Sequence, residues 1–294
     1  MRFSDKILTV DLEDWFHILD NPHTKYEHQW NNFPSRIINS TFRLLDLFDL
    51  YDCKCTFFVL GYVARKYPEL VREISLRGHE IASHGDQHQL VYSQTPAQFE
   101  RDLVISLEAI TKACGAEVKA YRAPGFSIRT DCTWAFDVLV KCGIEIDCSI
   151  FSAARSHGGM RNQNITSPVN LLTEAGNFIR EFPISTLSVG GKPVVFSGGG
   201  YFRITPQFVL KKLFKSDKYL MTYFHPRDFD PEQPMVPGLT VSRRFKSYVG
   251  LRTTFSKLES LLEQTSFMTL ASADNRTDWS SLPIHQISKE KRFL

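Results

Sequence analysis

The sequence predicts an α/β protein, an (α/β) barrel or an open relative of one, on three observations. Short apolar, β-rich runs bounded by turn residues alternate with segments of helical period, the pattern of βα units around a largely parallel sheet. The chain has 294 residues, 43% of them hydrophobic, enough for a sizeable core in one large domain or two modest ones. No internal repeat divides it, so the alternation belongs to one fold rather than to an array.

Taken in order, the run 7–10 is the first strand, and Ile37, Ile38, Phe42, Leu45 and Phe48 recur at helical spacing over about 35–50. A strand at 56–60 precedes a helix at 63–77, stopped by Gly78, where a left-handed backbone carries no steric cost. After a third strand at 80–83, Thr95, Pro96 and Gln98 form a cap, a first-turn proline and a capping box opening a helix to about 114. Further strands are expected at 118–122, 144–148, 179–184, 194–197 and 220–224, with helices at 131–142 and 205–215 between them. A helix near 252–265 and a strand near 266–270 close the pattern. The segment 151–178 has no period and reads as a long loop. The run Gly198-Gly199-Gly200 lacks the following Lys-Ser or Lys-Thr of a phosphate cradle and reads as backbone allowed to approach a substrate.

Composition excludes several classes. A net charge of +3 implies no strong overall pull toward nucleic acid or an anionic membrane, and the 23 phenylalanines fall in periodic segments where core packing explains them. No apolar run approaches the roughly 20 residues of a spanning helix. The start of the chain lacks the pattern of a secretory signal, and six cysteines without a CxxC pair read as reduced thiols, so a cytoplasmic location is expected.

Chemistry-bearing residues collect in two places. His84 and His88 stand four apart just beyond a strand, a spacing that one turn of backbone brings to one side, as zinc sites require. Alone, such a pair is weak evidence, since histidine is often a satisfied polar residue. The first strand ends in Asp11-Leu12-Glu13-Asp14, at the end of the sheet where active sites of parallel α/β folds lie. Alternation sends Asp11 and Glu13 to one face, with Asp14 where the strand gives way to a loop. Carboxylates this close raise one another's pKa unless a cation lies among them. A solvent-facing acidic turn is an equally good account of that cluster on its own.

Asp11 to Asp14, Gly78 to His88, Tyr121 to Ser127, Asp147 to Ser149 and Tyr223 to Pro226 resemble, in order and spacing, the five motifs of the polysaccharide deacetylase (NodB-homology, carbohydrate esterase 4) family over roughly residues 5–230. Gly198 to Arg203 and His225 to Pro234 resemble its branch containing allantoinase-like and Helicobacter-type peptidoglycan deacetylases, associated with exopolysaccharide gene clusters. The resemblance implies a distorted (β/α) barrel forming a single domain over 1–294, with a C-terminal extension at about 231–294 packed on it. It implies one divalent metal, Zn²⁺ before Co²⁺, Ni²⁺, Fe²⁺ or Mn²⁺, held by Asp14, His84 and His88, and that set stands only if Asp14 lies within reach of the two histidines. The general base is Glu13 if Glu13-Asp14 matches the family's paired acids, or Asp11 if the Asp-x-acid form applies; Glu13 is preferred. Arg122 resembles the arginine that orients the base, His225 the histidine that protonates the leaving amine, and Asp147 a residue that orients His225 or caps a loop. Trp15, Pro124, Tyr201 and Phe202 are expected to line the saccharide groove or, equally, the core.

The activity so implied is hydrolysis of N-acetyl groups on an amino-sugar saccharide, a polymer or glycan precursor of a capsule or exopolysaccharide. The alternatives are a small-molecule amide hydrolase of the allantoinase-like type and a carbohydrate-binding pseudoenzyme. The partner expected is the N-acetylated saccharide, with no nucleic acid and no membrane span; the oligomeric state is open.

Overall fold

Parallel pairing dominates the computed structural model, which describes residues 5–152, 158–160 and 165–287. Its main sheet runs, neighbour to neighbour, Ile284–Gln286, Val169–Leu172, Phe178–Glu181, Ile146–Asp147, Ala120–Tyr121, Glu80–Ser83, Thr56–Val59, Thr9–Leu12. Every pairing in it is parallel except Val169–Leu172 against Phe178–Glu181. The curve continues beyond Thr9–Leu12 through the bridge Val10↔Phe224 and then Gly198↔Tyr223, while Lys6–Ile7 pairs with Leu220–Met221. Near the join, the Met221 N–H donates to Ser185 Oγ at 2.8 Å. The result is a distorted (β/α) barrel whose closure is irregular.

The strands Thr9–Leu12 and Thr56–Val59 are buried at every residue, so both faces carry side chains that must be packed or paired. Leu8, Val10 and Leu12 enter a core with Leu44, Leu45 and Phe48 of the helix Ile37–Leu50. Leu258, Leu261 and Leu262 of the helix Leu251–Leu262 complete the same core, which seats that late helix against the first strands. No helix among the described residues is long and apolar enough to cross a membrane. The six cysteines are free thiols.

Most expected elements are present, and the differences have local causes. The helix expected at 63–77 is two helices, Gly61–Lys66 and Pro68–Leu76, because Pro68 has no N–H and forces Tyr67 out of helical backbone (φ −133°). The segment expected as one strand at 194–197 is half of a hairpin, Thr186–Val189 with Lys192–Val195, turned by Gly190-Gly191 at positive φ. Part of the loop expected at 151–178 lies outside the described residues, and its end forms the strand Val169–Leu172. In place of the strand expected at 266–270, one bridge at Met268 leads into the helix Leu270–Arg276, capped by Thr269.

The glycine run serves chain packing. A Cβ on Gly198 would lie 2.0 Å from the Tyr223 carbonyl oxygen, so only glycine lets these two segments touch. Gly199 (φ +52°) opens the helix Gly199–Ile204 over the Tyr223 ring. The contact expected with a substrate is therefore a contact between two pieces of barrel wall.

Candidate active site and metal centre

Strand alternation decides which acids meet the histidines. Asp11 and Glu13 leave the first strand on one face, and Glu13 Oε1 lies 3.0 Å from both His84 Nε2 and His88 Nε2. Glu13, His84 and His88 are all buried, and their ligand atoms lie within 4.8 Å of one another. Asp14 is not in this group. Its carboxylate turns back to accept from the Trp15 N–H at 2.9 Å, the Arg36 N–H at 3.2 Å and the Ser35 hydroxyl, tying the strand end to the start of the helix Ile37–Leu50. The expected grouping of Asp14 with His84 and His88 is corrected: Glu13 is the acid that meets the two imidazoles, because just beyond the strand Thr9–Leu12 residue 13 faces the barrel interior while residue 14 turns back toward the helix Ile37–Leu50.

The imidazoles are aimed by their surroundings. His84 Nδ1–H donates to the Arg122 carbonyl at 2.7 Å, which leaves Nε2 of a neutral ring as a bare acceptor facing a carboxylate oxygen. Nε2 and the carboxylate oxygen at 3.0 Å need a positive centre between them, a proton on the ring in the metal-free protein or a cation in its place, and two imidazoles with one carboxylate are a donor set that fits a divalent metal. His88 holds a left-handed backbone (φ +54°), unusual for a side chain of this size. The loop before it is pinned by Asp102, whose carboxylate accepts the Asp86 N–H at 2.8 Å and the Gln87 N–H at 3.3 Å, and by an ion pair from Arg65 to Asp86. Burial raises the Asp102 pKa to about 6 despite those donors.

Asp11 faces the same space with a different partner. Arg122, fully buried, donates from Nη1 to Asp11 Oδ1 at 2.6 Å and to Thr9 Oγ1 at 2.7 Å, with its guanidinium 4.0 Å from the Phe58 ring centre. His225 approaches from the opposite side, its Nε2 3.9 Å from both Asp11 Oδ2 and Glu13 Oε1, and it is the partly exposed member of the cluster. Burial would lower the His225 pKa, but Glu13, Asp228 and Asp11 outweigh it and raise it to about 9. Burial likewise would raise the Glu13 pKa, but His88, His225 and the hydrogen bonds of both ligand histidines hold it well below the ordinary value.

Asp147 does not orient His225. That role belongs to Asp228, whose Oδ2 accepts from His225 Nδ1 at 2.9 Å and from the His225 N–H at 3.0 Å. Asp228 is in turn ion-paired with buried Arg203, which also donates to the carbonyls of Lys246 and Val249. The signal for Asp228 was present in the sequence as a capping box, His225-Pro226-Arg227-Asp228. Asp147 instead sits beside its strand partner Glu181 and accepts from Ser149, whose hydroxyl accepts the Ala123 N–H at 2.8 Å; it braces the turn after Arg122. Burial raises the pKa of both Asp147 and Glu181, Glu181 the more strongly.

Three expected groove residues are inside the protein. Trp15 is buried against Phe16 and Phe33 with its indole N–H on the Pro34 carbonyl, Phe202 packs on Phe224 and Phe214, and Pro124 is buried in a turn. Trp15 and Phe202 belong to the core that the first strand shares with the late helices. Tyr201 alone of the four is exposed.

Against known proteins, residues 30–145 match the polysaccharide deacetylase model. The likeness to this family is carried by that segment, about two fifths of the chain. Residues 148–274 match a second model, described as a domain of unknown function (DUF3473). The chain is 25% identical over 125 residues to a peptidoglycan-N-acetylglucosamine deacetylase of Bacillus cereus, 42% of this chain and 46% of that protein. It is 34% identical over 97 residues to a chitooligosaccharide deacetylase of Sinorhizobium fredii, 33% of this chain and 42% of that protein. Over 108 residues it is 31% identical to a peptidoglycan deacetylase of Helicobacter pylori, 37% of this chain and 36% of that one. The matched stretches thus span less than half of these relatives. Among solved structures, a putative polysaccharide deacetylase from Mycobacterium smegmatis superposes with TM-score 0.65 at 19% identity, covering 99% of this chain and 95% of that one. An allantoinase superposes with TM-score 0.59 at 15% identity, covering 93% and 90%. Both establish the fold alone. Asp11 and Glu13 precede the deacetylase segment and His225 follows it, so the roles of these three rest on geometry.

Proposed function

We propose that this chain is a metal-dependent N-deacetylase acting on an amino-sugar saccharide. One observation carries the reading: a single buried oxygen of Glu13 stands 3.0 Å from two aimed imidazoles, with a second carboxylate and a third imidazole facing the same space. Glu13, His84 and His88 would hold the cation. When bound, a divalent ion there supplies Lewis acidity toward an acyl oxygen and toward water.

The chain's own residues account for the proton movements. Asp11, held by Arg122 and unengaged on its Oδ2 side except for His225, accepts the proton of the attacking water. His225, whose pKa Glu13, Asp228 and Asp11 raise in the metal-free protein, is aligned by Asp228 and delivers a proton to the departing amine nitrogen, which cannot leave as an anion. The base is therefore Asp11 and the anionic ligand Glu13. The match of residues 30–145 to the deacetylase model and the names of the relatives support the N-acetylated sugar as substrate. The test is acetate release from N-acetylated chitooligosaccharides and peptidoglycan fragments by protein reconstituted with Zn²⁺, Co²⁺, Ni²⁺ or Mn²⁺. Metal-dependent acetate release is expected, abolished by Asp11→Asn with metal retained; ring opening of a ureide without acetate release would replace the reading by an allantoinase-type activity.

A further inference from the structure

A net charge of +3 conceals how the charge is distributed. Neither 199–216 nor 233–258 contains an Asp or Glu, while the two stretches carry nine Lys and Arg residues. Arg203, Arg243 and Lys257 are spent on the fold, bonded to backbone carbonyls. Lys212, Lys215, Arg244, Lys246 and Arg252 are exposed and form no ion pair among the described residues.

Large apolar side chains stand out of the same elements. Tyr201 and Ile204 project from the helix Gly199–Ile204, Phe208 is 76% exposed at the start of the helix Gln207–Phe214, and Val241 and Phe245, 86% and 63% exposed, share one side of the helix Val241–Tyr248. The first and last of these helices touch: a Cβ on Gly200 would meet the Lys246 carbonyl at 2.9 Å, and Arg203 bonds the same oxygen. The helix Val241–Tyr248 buries no residue, so packing does not explain its apolar side.

The part of this band around Gly199–Ile204 and the start of the helix Val241–Tyr248 lies on the rim of the catalytic end, and Lys212 and Lys215 extend it down the barrel wall. Gly198 abuts Tyr223, two residues before His225, and Arg243 bonds the Leu19 and Asp20 carbonyls in the segment that follows Glu13. Apolar residues flanked by unpaired cations, with no acid inside either stretch and Asp20, Asp217 and Glu232 only at their borders, form the combination that seats in the interface of an anionic bilayer: rings enter the acyl boundary and ammonium or guanidinium groups meet phosphates. We propose that this rim docks on anionic phospholipid membranes, which would bring the open end of the barrel to saccharide carried at that surface. The inference uses neither metal nor turnover and goes beyond the deacetylase reading.

Flotation of the full chain with phosphatidylcholine vesicles, with and without phosphatidylglycerol, tests it. Retention is expected only with phosphatidylglycerol, falling with added salt. Arg244→Gln and Lys246→Gln should each weaken partitioning about five-fold, and Phe208→Ser and Phe245→Ser about ten-fold each. All four side chains are exposed, so melting temperature and metal binding should not change. Equal retention by uncharged vesicles, no retention by charged ones, or full retention of the serine variants overturns the proposal. Binding of an oligonucleotide in place of vesicles also overturns it, and assigns the band to nucleic acid. Failure here leaves the acetate-release test untouched, and failure there leaves vesicle binding standing.

Discussion

Exchanging one acid at a time separates ligand from scaffold at the end of the first strand. In Glu13→Gln the side chain keeps its shape but loses the charge between His84 and His88. Changing groups that merely orient a ligand costs about 10–100-fold in metal affinity, so loss of the anionic ligand itself should cost at least about 100-fold. Asp14→Asn should leave affinity within a few-fold, because its oxygens are engaged by Trp15, Ser35 and Arg36. It should instead lower stability. An amide presents only one oxygen to three donors, and hydrogen bonds to a charged group contribute about 1.5–3 kcal/mol. Burial, however, already raises the Asp14 pKa against those donors, which places the net loss near the lower end, about 1–2 kcal/mol, or a few degrees in Tm. Calorimetric titration of chelator-stripped protein with Zn²⁺ reads the first effect and thermal unfolding the second. A loss of metal in Asp14→Asn comparable to that in Glu13→Gln would refute the assignment.

Glu13→Gln should also destabilise the metal-free protein at neutral pH. Its folded pKa is depressed, so its contribution is present above the unfolded value of about 4.3 and lost as pH falls through the folded one; denaturant curves of the two proteins should converge in acid. His225 has the opposite sign. Raised to about 9, it stabilises fully below the unfolded value of about 6.5, and that contribution fades as pH rises through 9; NMR titration of the metal-free protein should show the transition near 9 and a lower one in Asp228→Asn. Asp102→Asn should weaken metal binding about 10-fold by loosening the Asp86 and Gln87 amides, measured by the same calorimetry, and unchanged affinity would sink the bracing role. Gly198→Ala places a methyl 2.0 Å from the Tyr223 carbonyl and should cost about 3 kcal/mol or more in urea unfolding; a neutral result would contradict the close approach.

The sequence by itself determined the βα alternation, the His84/His88 pair, the guanidinium at Arg122 and the placing of Asp11 and Glu13 on one strand face, since these depend on local period and spacing. That last reading already placed Glu13 on the side that the two imidazoles reach. Matching Glu13-Asp14 to a pair of adjacent acids displaced it, whereas a strand's period of two keeps neighbours on opposite sides. Only the tertiary structure decided that Asp14 caps a turn, that Asp228 rather than Asp147 aligns His225, and that Trp15 and Phe202 are core. Each of those outcomes depends on which distant segment arrives next to the residue: Ser35 for Asp14, Arg203 for Asp228, Phe224 for Phe202. Period fixes the direction in which a side chain leaves the backbone; packing fixes what it meets.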